Sequence, residues 1–355
     1  MFTADVRTRV QGLDEEVVHD VLRYFLAGSG LDKVAVENWS PDYVSKLNRI
    51  FMRWRGNRTQ QEMFDFVFVE NGYTCKELFQ SCRTLAGDLD CCNLFKPTFV
   101  LLRGRCFNLI DDYYQEDFDE SGKIMLNFNE VKQGQLFGEA TRQQLVMYLR
   151  DFDSEVGPVP KVYLGYGNWN RFVFAQRRVS MLPKHNGCSV NESKPTCLVR
   201  KIIEQRLLNP FNCTILPFIA IAQLENVTVC DIATVVQNYK DITAPINDDY
   251  NCLPACERTE IHYRLHSSIN RSPPSKRSAY LAEASFGELQ YEEYKEIRLT
   301  TPLNFLSQLG GQTGLFVGSS LATFVQILLA IVKYIHDVAK TLLKRRIVVP
   351  LNSSQ

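Results

Sequence analysis

The chain has 355 residues, 45% hydrophobic and 23% charged, with 40 basic and 40 acidic side chains that leave a formal net charge of zero. That length suffices for one large or two ordinary domains with substantial cores. The balanced charge argues against a nucleic-acid partner, which would want a basic patch.

Eleven cysteines, at positions 75, 82, 91, 92, 106, 188, 197, 213, 230, 252 and 256, are spread along the chain. Together with the sequons at Asn57, Asn191, Asn212 and Asn226 they predict an oxidising, extracellular setting with disulfides and N-linked glycans. No CxxC pair with a matching His or Cys pair offers a zinc site, and nothing calls for a cofactor. The odd count leaves at least one thiol without a partner in this chain. The opening MFTADVRTRVQ is polar, and Val17 to Leu26 is broken by His19, Asp20 and Arg23, so neither reads as a secretory signal.

In chain order, apolar residues at helical spacing (Val17, Val18, Val21, Leu22, Phe25 and Leu26, then Tyr43, Leu47, Ile50 and Phe51) predict helices over residues 1 to about 70, broken at Gly28, Gly30 and Pro41. Gly72 to Ile110 holds five of the cysteines and predicts a disulfide-stapled turn leading into a strand. Asp111 to Glu120, DDYYQEDFDE, reads as a solvated loop or, because clustered carboxylates raise one another's pKa, as a cation- or proton-sensing surface.

Between Lys123 and Gln176 the alternating runs KIMLNFN, KVYLGY and RFVFAQ predict strands of an antiparallel sheet, with a helix around Thr141 to Tyr148. Cys197 to Leu208 is an amphipathic helix, and Asn226 to Tyr239 is a second, capped near Thr228 or Asp231. Ser267 to Arg277 is a polar, Pro-containing loop, after which Ala279 to Arg298 resumes strand alternation.

No charge falls between Arg298 and Lys333, and Gly314 to Val332 approaches the ~20 apolar residues of a membrane-crossing helix. Gln308, Gln312, Ser319, Thr323 and Gln326 form a polar stripe, and Gly310, Gly314 and Gly318 recur every four residues. A single-pass anchor and a pore-lining helix both fit. Lys333, Lys340, Lys344, Arg345 and Arg346 place the tail in the cytosol and everything before Leu299 outside.

Three passages, CCNLFKPTF through GRCFNL, YNCLPACERTEIHY and FLSQLGGQTGLFVGSSLATFVQ, resemble the degenerin/epithelial sodium channel family, with a lean toward invertebrate degenerin or pickpocket members. The last passage carries most of the likeness, since GGQxGLFxGxS looks like the family's pre-pore and second transmembrane signature. The resemblance implies an α+β ectodomain over residues 1–298, with an antiparallel palm sheet and a helical finger and thumb. A pre-pore segment and second transmembrane helix would follow over 299–333, and a cytosolic tail over 334–355.

It further implies a homo- or heterotrimer in the plasma membrane that is sodium-selective, voltage-independent, amiloride-sensitive and gated by an extracellular stimulus. Gly318, Ser319 and Ser320 match the selectivity motif, while Gly314, Thr323 and Gln326 line the pore. Ser307 matches a position before the pore where bulky side chains hold such channels open. Cys188 with Cys256, Cys197 with Cys252, and Cys213 with Cys230 match three thumb bridges, and Cys82 would bridge Cys91 or Cys92 in the finger. Phe211 and Tyr250 stand where the family often has further cysteines, whose expected mates are absent too.

The family's first span and its cytosolic His-Gly motif have no counterpart, so the sequence reads as a fragment or a truncated isoform, with Cys106 left without its mate. Gln326 and Leu329 stand where relatives place carboxylates below the filter. The alternative function is therefore a non-conducting regulatory subunit or receptor-like ectodomain. An enzyme is disfavoured, because a Cys-His pair would rest on His185 and Cys188, which are neighbours only in sequence.

Overall fold

The computed structural model describes residues 2–36, 38–130, 144–149, 161–183, 187–221, 226–245, 250–269, 279–318 and 321–347. The chain divides into two compact units, Met1–Glu296 and Ile297–Gln355.

The first unit opens with helices α1 (Phe2–Arg9), α2 (Glu15–Gly28), α3 (Pro41–Arg55) and α4 (Gln60–Phe64), the last widening into π turns over Asp65–Glu70. Local chemistry sets their starts. The Ser40 hydroxyl accepts from the Tyr43 amide with Pro41 in the first turn, and Thr59 with Glu62 forms a reciprocal capping box. The apolar stripes meet in a core that includes Val21, Phe25, Leu47, Phe51 and Trp54. Phe25 stacks on Phe51 with centroids 5.6 Å apart, and the Trp54 indole N–H donates to Asp5 at 2.8 Å.

The cysteine-rich stretch forms α5 (Cys75–Leu78), β1 (Phe79–Thr84), β2 (Gly87–Leu89) and α6 (Cys91–Leu94), then the hairpin β3 (Phe95–Val100) and β4 (Gly104–Leu109). Strands β5 (Ile124–Phe128), β6 (Gln144–Tyr148), β7 (Lys161–Gly165) and β8 (Asn168–Ser180) follow. The helix predicted around Thr141 to Tyr148 is corrected here. Residues 141–143 lie outside the described residues, and Gln144–Tyr148 pairs antiparallel with β7. Leu145 and Met147, two apart, both pack on the sheet core, which is the period of a strand.

Next come α7 (Lys194–Ile203), continuing through π turns at Glu204–Leu208 into α8 (Asn209–Phe211), then α9 (Leu216–Ile221), α10 (Ile232–Gln237) and α11 (Tyr239–Ile242). The helix predicted from Asn226 begins only at Ile232, because Val229 is held in a parallel bridge with Thr214. Strands β9 (Glu257–Ile269) and β10 (Tyr280–Lys295) complete the unit. The predicted loop from Ser267 therefore begins inside β9, and residues 270–278 lie outside the described residues.

Six strands form one sheet in the order β2-β1-β5-β10-β8-β9. The fully antiparallel sheet expected from the sequence is corrected to a mixed one, since β10 runs parallel to β8. The chain reverses from β8 to β9 and again from β9 to β10, and β10 then inserts on the far side of β8, between it and β5. One face buries Phe79, Ile124, Leu126, Phe128, Phe172 and Ala282. The second unit holds α12 (Pro302–Val317) and α13 (Leu321–Ile347).

Helices α2 and α10 pass so closely at Gly28 that a Cβ there would lie 2.2 Å from Ile232 Cγ2. Gly28→Ala is expected to destabilise the first unit by about 1–3 kcal/mol through overpacking. Ile232→Ala in the same chain is expected to relieve the clash, so the two changes together cost less than their sum in thermal unfolding of the detergent-solubilised protein.

Candidate functional site: the broken C-terminal helix

Helix α12 starts where the Thr301 hydroxyl accepts from the Asn304 amide at 3.1 Å, with Pro302 in its first turn. It stops at Gly318, which adopts φ 66° in the left-handed region. Nothing lies within 4 Å of where a Cβ would be, so glycine is required here for conformation rather than for space. Helical structure resumes at Leu321.

The single helix predicted over Gly314 to Val332 is therefore corrected. The stretch long and apolar enough to cross a membrane is Ala322–Leu343, 22 residues, beginning after the break. At 1.5 Å per residue it covers ~33 Å, against a hydrocarbon core of roughly 30 Å. It extends past Val332 because Tyr334, Ile335, Val338, Leu342 and Leu343 continue the apolar pattern between Lys333, Asp337 and Lys340.

The break divides the predicted polar stripe. Ser307, Gln308, Gln312 and Gly314 lie on α12, Gly318 caps it, and Thr323 and Gln326 lie on α13. Ser319 and Ser320 lie outside the described residues. On α13 the face that carries Thr323 and Gln326 continues, at steps of three and four, through Ala330, Lys333, Asp337 and Thr341. Lys333, expected to open the tail, and Asp337 lie instead within the membrane-length helix, because a span ended at its first charge stops short of them. The spacing was the signal that could have found them. Phe324, Leu328, Ile331, Ile335 and Leu342 occupy the opposite face, each more than half exposed in the single chain.

Five disulfides join Cys75 to Cys92, Cys82 to Cys91, Cys188 to Cys256, Cys197 to Cys252 and Cys213 to Cys230. Of the two partners left open for Cys82 it takes Cys91, which leaves Cys92 for Cys75 on the short helix α5. Cys106 is the free thiol among the described residues, and burial pushes its pKa up to about 11. Cys188 is bridged and so offers no nucleophile, and His185 lies outside the described residues. Asn57, Asn191, Asn212 and Asn226 are all exposed.

The acidic run is more than a solvated loop. Its end is held by Arg171 of β8, whose side chain is 4% exposed and whose Nη2 donates to Asp119 at 2.9 Å and to Ser285 at 2.8 Å. Glu120 lies 3.3 Å from Arg171 and 2.8 Å from Lys123, and Lys123 also reaches Glu283 at 3.0 Å. The hydrogen bond from Lys123, aided by the Arg171 charge, holds the Glu120 carboxyl below the usual glutamate range, opposite to the raising expected of crowded carboxylates. The sequence signal for Arg171 was a cation at the start of the otherwise apolar RFVF.

Among the described residues, a cysteine-stapled α+β body is joined in sequence to one helix long and apolar enough to cross a membrane. The family model described as "Amiloride-sensitive sodium channel" matches residues 17–329, and the chain belongs to that ion-channel family. A search of curated proteins finds no match.

Removing the carboxylates that face Arg171 strands a buried guanidinium. Asp119→Asn with Glu120→Gln is expected to cost about 3–5 kcal/mol, whereas Arg171→Met costs far less, because the freed carboxylates are already half in water. A folded-state pKa held low contributes stability that is present above the unfolded value and is lost as pH falls through the folded one. The native chain should therefore unfold at a lower temperature as pH falls below the ordinary glutamate range. Glu120→Gln should flatten that slope.

Proposed function

We infer that the chain is a pore-forming subunit of a trimeric, voltage-independent, amiloride-sensitive sodium channel gated by an extracellular stimulus. In this reading the first unit is extracellular, Ala322–Leu343 crosses the plasma membrane, and the basic end of α13 faces the cytosol. The observation that carries it is the left-handed break at Gly318 immediately ahead of the membrane-length helix. Irregular backbone at membrane depth is tolerated where it is buried in protein or lines water, and carbonyls released from a helix end are ligands for a small cation. Gly318, Ser319 and Ser320 then form the narrow point, Gly314, Thr323 and Gln326 line the path, and Ser307 keeps the approach uncrowded.

A specific observation favours a second reading. The positions below the break where relatives carry carboxylates are Gln326 and Leu329, and Lys333 shares the face of Thr323. A non-conducting regulatory subunit would tolerate both, since it has no need to concentrate cations.

Expressed in oocytes alone or with a related subunit, the chain is expected to give amiloride-sensitive sodium current that rises with Ser307→Phe. Gly318→Ala, which forces a side chain into the left-handed region, is expected to lower the current or its sodium preference. Thr323→Cys and Gln326→Cys should react with a water-soluble thiol reagent, and Leu328→Cys should not. Equal reactivity at all three positions, with no current in any variant, would sink the pore reading in favour of the regulatory one.

A further inference from the structure

Asn212 and Asn226 begin two sequons that the fold places side by side. Both asparagines adopt left-handed backbone, at φ 51° and 57°. Thr214, the third residue of the first sequon, is fully buried, and its hydroxyl has no hydrogen-bond partner. The hydroxyl of Thr228, the third residue of the second, donates to the Asn212 carbonyl at 2.9 Å. The Thr214 amide donates to the Thr228 carbonyl at 2.9 Å, and the Cys230 amide to the Thr214 carbonyl at 2.9 Å. Cys213, the middle residue of the first sequon, is bonded to Cys230.

An N-glycosylating transferase must read the hydroxyl of the third sequon residue together with the asparagine amide in an accessible segment. Here the asparagines stay exposed, but the first sequon's hydroxyl is buried and the second's is held by the first's backbone, and one disulfide locks the pair. Asn57 differs, because Thr59 caps a helix start with a partner only three residues on, Glu62, and no cysteine lies within its sequon.

We propose that Asn212 and Asn226 form one disulfide-gated glycosylation site, which accepts N-linked oligosaccharide only until Cys213 and Cys230 join. The inference rests on the extracellular reading above. In the transfer, the sugar C1–O bond to a lipid pyrophosphate donor breaks, with the electron pair leaving on the phosphate oxygen. The C1–Nδ2 bond forms, and the amide proton passes to a base of the transferase. In the competing step the two thiols give two electrons and two protons to a disulfide oxidant of the secretory pathway. Cys230 follows Cys213 by 17 residues. That separation is about one to three seconds of synthesis, and disulfides form in seconds to hours, so the two reactions overlap in time.

The test is site occupancy, measured by mass spectrometry of glycopeptides from the full chain expressed in a secretory host. Cys230→Ser leaves both sequons intact, and it is expected to raise occupancy at Asn212 and Asn226 about twofold, as removal of one of two competing steps of similar rate requires, with Asn57 unchanged. Cys188→Ser with Cys256→Ser, which removes a different bridge, is expected to raise neither. The proposal is overturned if both sites are already fully occupied in the native chain or stay unmoved in Cys230→Ser. It is equally overturned if Asn57 rises with them, or if the other bridge has the same effect. Asn57 glycosylated with Asn212 and Asn226 unmoved defeats this proposal alone, whereas no glycan at any of the three defeats it together with the extracellular reading.

Discussion

A guanidinium taken out of water must be met by charge, and Arg171 imposes that requirement on the middle of the sheet. It sits on β8 beside β10, its side chain 4% exposed, and the nearest available carboxylates, Asp119 and Glu120, belong to the loop ahead of β5. Satisfying it draws that loop onto β10, where Gln115 and the Asp119 amide also bond the backbone of Phe286. Phe286 is where β10 loses register with β8, the pairing resuming only at Tyr291. The charge pairing and the irregularity in the long strand thus occur together. The loop supplies backbone partners at the point where the ladder is interrupted.

The covalent links answer a different weakness. The apolar core of the first unit is divided into three clusters rather than pooled, and each gains less from burial than a single core of the same total size. Cys75–Cys92 joins α5 to α6 and Cys82–Cys91 ties α6 to β1, beside the three-residue edge strand β2. Cys188–Cys256, Cys197–Cys252 and Cys213–Cys230 secure the segments flanking α7 to α11. Such cross-links act chiefly on the unfolded chain, which suits a body whose elements are short.

What could be read in advance follows from the range of the forces involved. Helices α2 and α3 were legible because their apolar stripes and the breaks at Gly28, Gly30 and Pro41 are local and agree with one another. The 144–148 strand was misread because five residues carry either period, and only the partner β7 decides between them. The parallel pairing of β8 and β10 depends on which edge β10 joins after two reversals, and no residue within either strand encodes that choice. Arg171 passes in the sequence as the first residue of an apolar run, and its partners lie 51 and 52 residues upstream (171 − 120 and 171 − 119). The family likeness named Gly318 yet did not reveal that α12 ends at it. A glycine every four residues reads equally well as close packing and as a break.

The break also changes what the last helix must satisfy. With the membrane-length segment moved to Ala322–Leu343, Lys333 and Asp337 fall inside it rather than beyond its end. Lys333 lies 11 residues beyond Ala322 (333 − 322), so ~16 Å along the helix and near the bilayer middle if the segment spans it. A charge there is tolerated only against protein or water. Thr323, Gln326, Lys333 and Asp337 share one face, so a single wet or protein-covered side accommodates them all. Phe324, Leu328, Ile331 and Ile335 on the other face then suit lipid. If the segment spans a membrane, lipid on every side would leave that face unsatisfied, so the same reading calls for water or protein along it from Thr323 to Asp337 and not only at Gly318.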